Sequence, residues 1–172
     1  MNAIIENLLT RRSTRAFLQK EIPDNELNEI LQAAIYAPSG MGKPTWKFTV
    51  LCNQEKIQQL AELIGRKLGR KGYDMYRPQV LIIPSNQKEN PHGMEDNACA
   101  LENIFLAAHS FGIGSVWINQ LRTLCDDPEV RALLDEFEIP SDHVVYGMAA
   151  LGYPADAPKK EIHKIGEIRI IK

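Results

Sequence analysis

The run Val80-Leu81-Ile82-Ile83, closed by Pro84, restricts the fold more than any other stretch of the chain. Four consecutive apolar residues leave no polar face for water, so a strand made from them must be covered on both sides. Proline cannot donate to a ladder, so the strand is expected to end there and give way to a polar loop from Ser85 to Gly93. Helices that could supply the two covers are legible on either side. Leu27, Ile30, Leu31, Ala34 and Ile35 share one face of a helix that starts at Pro23-Asp24 and is interrupted by Pro38. Asn53 can cap a helix carrying Ile57, Leu60, Ala61, Ile64 and Leu68. From Glu95 to about Phe111 the pattern is again helical, with Leu101, Ile104, Phe105 and Ala108 on one side, as expected of a central buried helix. Ile4, Ile5, Leu8 and Leu9 predict a short amphipathic helix ending near Thr10, and Pro128 to Phe137 a further one. Lys47 to Cys52, Ser115 to Ile118 and Val144 to Leu151 read as strands. Interleaved helices and strands give an α/β or α+β class, a sheet layered between helices.

At 172 residues the chain is expected to form one domain, burying roughly 70% of its unfolded surface without disulfides or structural metals. The 20 Lys and Arg residues against 22 Asp and Glu give a net charge of -2, which supplies no global field for nucleic acid or an anionic membrane. The local basic stretch Arg66, Lys67, Arg70 and Lys71, next to Tyr73 and Tyr76, reads as a solvated helix end. Cys52, Cys99 and Cys125 are odd in number and form no C-x-x-C pair, which fits a reducing cytoplasm, with Cys99 a packed free thiol. No apolar run reaches the roughly 20 residues of a membrane span, and Glu6 interrupts the N-terminal stretch where an export signal would be uniformly apolar. His92, His109, His143 and His163 lack metal-ligand spacing. Glu95 and Asp96 are accounted for by the preference of acids for a helix N-terminus.

Two constellations can carry chemistry. Arg11-Arg12-Ser13-Thr14-Arg15 places three guanidinium groups and two hydroxyls within five residues. In an extended segment Arg11, Ser13 and Arg15 project to one side, where two planar forks and a hydroxyl can satisfy several oxygens of a dianion. The alternative is a solvated basic loop paired with Glu6 or Glu21. The second constellation, Ala37 to Phe48, joins a helix to a strand through Gly40 and Gly42. Its Gly42-Lys43-Pro44-Thr45 is superficially like the end of a P-loop, but a proline intervenes and the order of helix and strand is reversed, which excludes a nucleotide triphosphatase. Such a loop can still bring backbone close to a flat ligand, with Ser39 and Lys43 as donors.

These stretches, with two more, resemble the nitroreductase family of flavin mononucleotide (FMN) enzymes. Arg11-Arg12-Ser13-Thr14-Arg15-Ala16-Phe17 is similar to the family's R-x-S-x-R-x-F opening, and Ala37-Pro38-Ser39 with Trp46-Lys47-Phe48 to its A-P-S and P-W-x-F loop. Asp96 to Ala108, followed by Phe111-Gly112-Ile113-Gly114-Ser115-Val116-Trp117, is similar to its central helix and G-x-G-S-x-W turn. Leu151-Gly152-Tyr153-Pro154 matches its late G-Y-P. The resemblance implies an α+β, three-layer αβα sandwich with a mostly antiparallel central sheet, and a homodimer holding two FMN at the subunit interface. It implies one domain over residues 1–172, with a C-terminal segment that extends onto the partner. Carried over, Arg11, Ser13 and Arg15 grip the FMN phosphate and ribityl chain, with Arg12 contributing by main chain or side chain. Pro38, Ser39, Gly40, Met41, Gly42 and Lys43 approach the flavin from the other subunit. Ile113, Gly114 and Ser115 lie along the ring, and Lys164, with Lys160 and His163, meets the phosphate. The implied activity passes hydride from NADH or NADPH through FMN to a nitroaromatic, quinone or similar small acceptor in a ping-pong cycle, so no side chain is needed as a catalytic group. One departure stands out. Many relatives carry Asn and Gln in an N-x-Q-P-W stretch, and Gly42, Lys43, Pro44 and Thr45 remove those amides here. A flavin-binding dimer without significant turnover, serving FMN sensing or storage, is therefore the competing reading. The chain is also short for the family, which implies a wide, permissive substrate site.

Overall fold

The structure, a computed structural model, describes residues 1–43, 45–156 and 164–172. In chain order its elements are α1 (Ala3–Thr10), α2 (Asp24–Ile35), a 3-10 turn (Gly40–Gly42), β1 (Trp46–Leu51), α3 (Gln54–Lys67), β2 (Val80–Gln87), α4 (Gly93–Ser110), β3 (Gly114–Ile118), α5 (Pro128–Glu136), β4 (His143–Val144) and β5 (Met148–Gly152). The strands form one sheet in the order β1-β2-β5-β3, with β4 paired to the far end of β2. Every ladder is antiparallel.

The apolar run at the start of β2 is covered on both faces, as its sequence requires. Val80 and Ile82, with Ala149 and Leu151 of β5, pack against Leu27, Ile30 and Ala34 of α2 and Leu101, Ile104 and Phe105 of α4. Leu81 and Ile83, with Met148 and Ala150 of β5, pack against α3 and α5 through Leu60, Ile64, Leu133 and Leu134. Two cores back to back on one sheet make the three-layer αβα sandwich. Burying each large apolar side chain contributes about 1.5–3 kcal/mol. Asn53 caps α3, its side chain accepting from the Lys56 N–H at 3.0 Å.

Three sequence expectations need correction. The strand does not stop at Pro84: β2 continues to Gln87, and Ser85 and Asn86 are buried within it. The pairing with β5 ends at Ile82 and that with β4 begins at Asn86, so Pro84 falls where β2 has a ladder partner only in β1. The single strand expected over Val144 to Leu151 is two, because the chain leaves the ladder at Val145, whose N–H donates to Cys125 Sγ. The face predicted for α1 is real but unburied within the chain: Ile4, Ile5, Leu8 and Leu9 remain 43–71% exposed. Among the described residues no helix is long and apolar enough to cross a membrane, and no cluster of His, Cys, Asp and Glu could hold a metal ion.

Candidate functional site

The arginine-rich segment leaves α1 and runs as a strap beside β3, the last strand of the sheet. Ser13 forms a parallel bridge with Ser115, where the Thr14 N–H donates to the Ser115 carbonyl at 2.9 Å. The strap then meets the chain after β5, with Leu18 N–H on the Tyr153 carbonyl and Ala155 N–H on the Ala16 carbonyl. It can lie this close because residue 114 has no side chain. A Cβ there would stand 2.5 Å from Thr14 Oγ1.

Between strap and sheet opens a cleft of about 430 Å³, lined by Thr10 to Ala16, His109, Gly112 to Ser115, Pro154 and Asp156. It gathers Arg11, Arg12, Ser13 and Arg15 with Ile113, Gly114 and Ser115, two groups separated by about a hundred residues of sequence. None of the three guanidiniums has a carboxylate partner among the described residues, so the expected alternative of pairing with Glu6 or Glu21 does not hold. Arg11 lies over the Phe105 ring at 5.6 Å. Arg12 turns Nη1 onto the carbonyls of Leu9, Thr10 and Arg11 at the end of α1, and its Nε is buried without a partner. Arg15 and Ser13 are exposed on the strap. Cations without carboxylate partners among the described residues, in a half-enclosed cleft, can receive an anion with several oxygens.

The loop Pro38, Ser39, Gly40, Met41, Gly42 and Lys43 lies outside this cleft. Gly40, Met41 and Lys43 line a separate pocket of about 200 Å³ with Thr45, Gln87 and residues 89–92. Met41 adopts a left-handed backbone (φ 58°) and is 78% exposed, an apolar side chain held out to solvent by a strained turn. Gly40 fits because a Cβ would meet the His92 ring at 2.6 Å. Its N–H donates to Asp96 Oδ1 at 2.7 Å, and Asp96 Oδ2 accepts from Asn90 at 3.1 Å. Asp96 is thus a buried anchor for the loop rather than only a helix-end acid. Its place on the stripe Asp96, Ala100, Leu101, Ile104 was the available signal, since a carboxylate on a buried stripe needs partners. Lys164 is exposed and lines neither pocket, and Lys160 and His163 lie outside the described residues.

Two further cleft residues escaped the sequence reading. Thr10 and His109 touch, Oγ1 to Nε2, at 2.9 Å. Burial, reinforced by the charges of Arg11 and Arg12, holds the His109 imidazole below its ordinary pKa. Reading the histidines only for metal spacing passed over the position of His109 in the last turn of α4, one turn beyond Phe105.

Comparison with known proteins places this architecture. The model of the Nitroreductase family matches residues 8–79 and 67–153. A protein of Archaeoglobus fulgidus with NAD(P)H nitroreductase in its name is 31% identical over 158 residues, covering 91% of this chain and 88% of that one. The Bacillus subtilis FMN reductase (NADPH) is 26% identical, covering 94% of this chain and 70% of its own. The crystal structure of a Bacteroides fragilis nitroreductase with bound FMN superposes with a TM-score of 0.94 at 43% identity, covering 100% of both chains.

Proposed function

This chain belongs to the nitroreductase family, and from that premise we propose that it is an FMN-dependent NAD(P)H oxidoreductase whose strap cleft receives the phosphate end of FMN. The carrying observation is the set of three guanidiniums with no carboxylate partner among the described residues, one with a buried and unpaired Nε, set against the Ile113–Ser115 backbone. Such a cleft fits a phosphate ester: Arg11, Ser13 and Arg15 hold the dianion and the ribityl chain, and Arg12 contributes mainly by main chain because its Nη1 serves α1. Ile113, Gly114 and Ser115 border the ring. FMN supplies two-electron transfer from NADH or NADPH to a nitroaromatic, quinone or similar small acceptor, the two substrates using one open face in turn. The protein binds, orients and shields.

The reading includes a homodimer. α1 and the C-terminal residues Ile165, Ile168, Ile170 and Ile171 expose apolar side chains that a second subunit would cover. Within such a dimer residues 1–172 act as one domain, the tail crosses to the partner, and the loop Pro38 to Lys43, held out from its own chain, approaches the partner's flavin. Lys164, with Lys160 and His163, would meet the phosphate. Three free cysteines fit a reducing cytoplasm.

Purified protein should be yellow, or become so on incubation with FMN, and anaerobic NADH or NADPH should bleach it. Protein that cannot be loaded with FMN refutes the proposal. Protein that loads but is bleached by neither nucleotide favours a flavin-holding dimer without turnover, the reading motivated by Gly42 and Pro44 where relatives carry amides.

A further inference from the structure

His109 stands in the cleft but outside the set of residues that the family pattern supplies. Its Nε2 is 2.9 Å from Thr10 Oγ1, which in turn lies 2.7 Å from the Glu6 carbonyl oxygen. A hydroxyl has one proton and a carbonyl can only accept, so Thr10 donates to Glu6 and accepts from His109. The ring proton is thereby fixed on Nε2. Nδ1 is left as the atom that gains or loses the titrating proton, and no described residue bonds it. The charged groups around the ring are Arg11, Arg12 and Arg15 on the strap, Glu6 on α1 and Asp156 at the cleft rim, with the carbonyl end of α4 beneath. Without an anion, burial and the two nearest guanidiniums disfavour the charged imidazolium. A phosphate dianion held by Arg11, Ser13 and Arg15 reverses the field at Nδ1. It cancels the repulsion and offers an acceptor.

We propose that His109 is a proton-gated ligand of the FMN phosphate: as the dianion enters the cleft, Nδ1 takes one proton from solvent and His109 joins Arg11 and Arg15 as a third cation. The inference rests on the cleft being the phosphate end of an FMN site. One N–H bond forms on binding and the same proton returns to solvent on release. The sign follows from the direction of change. His109 has the lower pKa in the free protein and the higher in the complex, so affinity gained from it grows as pH falls between the two values and is lost above the higher one.

The test compares the wild-type chain with His109→Gln, titrating each with FMN and with riboflavin, which lacks the phosphate, between about pH 5.5 and 8.5. The titration of FMN's own phosphate is common to both proteins and cancels in their ratio. The expected result is a wild-type to variant ratio of FMN association constants that rises toward low pH, by up to about tenfold for each unit by which the phosphate raises the His109 pKa. The riboflavin ratio should stay flat. A flat FMN ratio, or a riboflavin ratio that moves with it, overturns the proposal. Calorimetry of the wild-type chain near pH 7, in two buffers of different ionisation heat, decides the matter even if the variant does not fold: once the proton released by the FMN phosphate itself is allowed for, proton uptake on binding is expected, and none overturns it. If the wild-type chain takes up no FMN, the proposed function falls and this inference with it. If it takes up FMN without the proton, only this inference falls.

Discussion

Two basic stretches of this chain look alike in composition and differ in everything else. In the stretch Arg66, Lys67, Arg70 and Lys71, with Arg77 just beyond it, Arg66, Lys67 and Arg77 have carboxylate partners where they stand. Arg66 pairs with Glu129 at 2.7 Å, Lys67 with both Asp127 and Glu129 at 2.9 and 2.8 Å, Arg77 with Asp74 at 3.3 Å, and Arg70 lies over the Tyr73 ring. Two of these cations also sit in the last turn of α3, where the helix dipole favours them. Arg11, Arg12 and Arg15 have one aromatic face, three carbonyls and no carboxylate among the described residues. Arg66 and Lys67 hold the end of α3 to the start of α5, whereas the strap arginines have no carboxylate partner among the described residues. What separates a structural cation from a binding one is therefore the company it is given, which a count of charges does not reveal.

Substitutions should separate the two stretches sharply. The largest effect is expected from Arg15→Ala, which should weaken FMN binding by about 10- to 150-fold, the weight of ~1.5–3 kcal/mol for one hydrogen bond to a charged group. Its unfolding free energy should move by less than about 0.5 kcal/mol, because the side chain is exposed and unpaired. Unchanged affinity in a flavin titration would abolish the contrast. Arg12→Ala should show a mixed phenotype, losing about 0.3–1 kcal/mol of stability in denaturant titrations because its Nη1 serves the carbonyl end of α1, with a smaller loss of FMN than Arg15→Ala. Glu129→Ala strands Arg66, leaves Lys67 with Asp127 alone and should lower the melting temperature slightly, an effect that fades in high salt, while FMN affinity stays as it was. A substantial loss of FMN affinity in that variant would mean that the compensated stretch reaches the site after all.

The smallest effect is a pH dependence. Lys67 holds the carboxyls of Asp127 and Glu129 below their ordinary values of 3.8 and 4.5, chiefly by hydrogen bonding. Depressed carboxylates stabilise the fold above those ordinary values, and the contribution drains away as pH falls through the folded ones. The melting-temperature gap between the wild-type chain and Glu129→Ala should therefore be constant from neutral pH down to about pH 5 and close in more acid solution.

The layers of the fold were legible because they rest on local periodicity. The stripes of α2, α3 and α4 and the doubly covered start of β2 are properties of neighbours in sequence, and the Asn53 cap spans three residues. The strap and its glycine turn were legible as motifs, and the structure brings those two together in one cleft. What escaped depends on partners far along the chain. The Gly40–Asp96 bond joins residues 56 apart and Thr10–His109 residues 99 apart, so the local signals, a carboxylate on a buried stripe and a histidine one turn beyond Phe105, do not name the partner. The continuation of β2 past Pro84 escaped for a related reason: whether a proline interrupts a strand depends on which side of it is paired, and that is decided by where β4 and β5 end.

The strap also guards the sheet against its own kind. β3 ends the strand order, and its outer backbone would offer open donors and acceptors to a strand from another molecule. At Ser115 the strap occupies that side, so the segment proposed to hold the anion doubles as a stopper against edge-to-edge polymerisation. Three like charges with no carboxylate partner among the described residues push such a stopper outward. Removal of the anion should therefore register first as turbidity and light scattering of a folded protein, before any loss of helix signal.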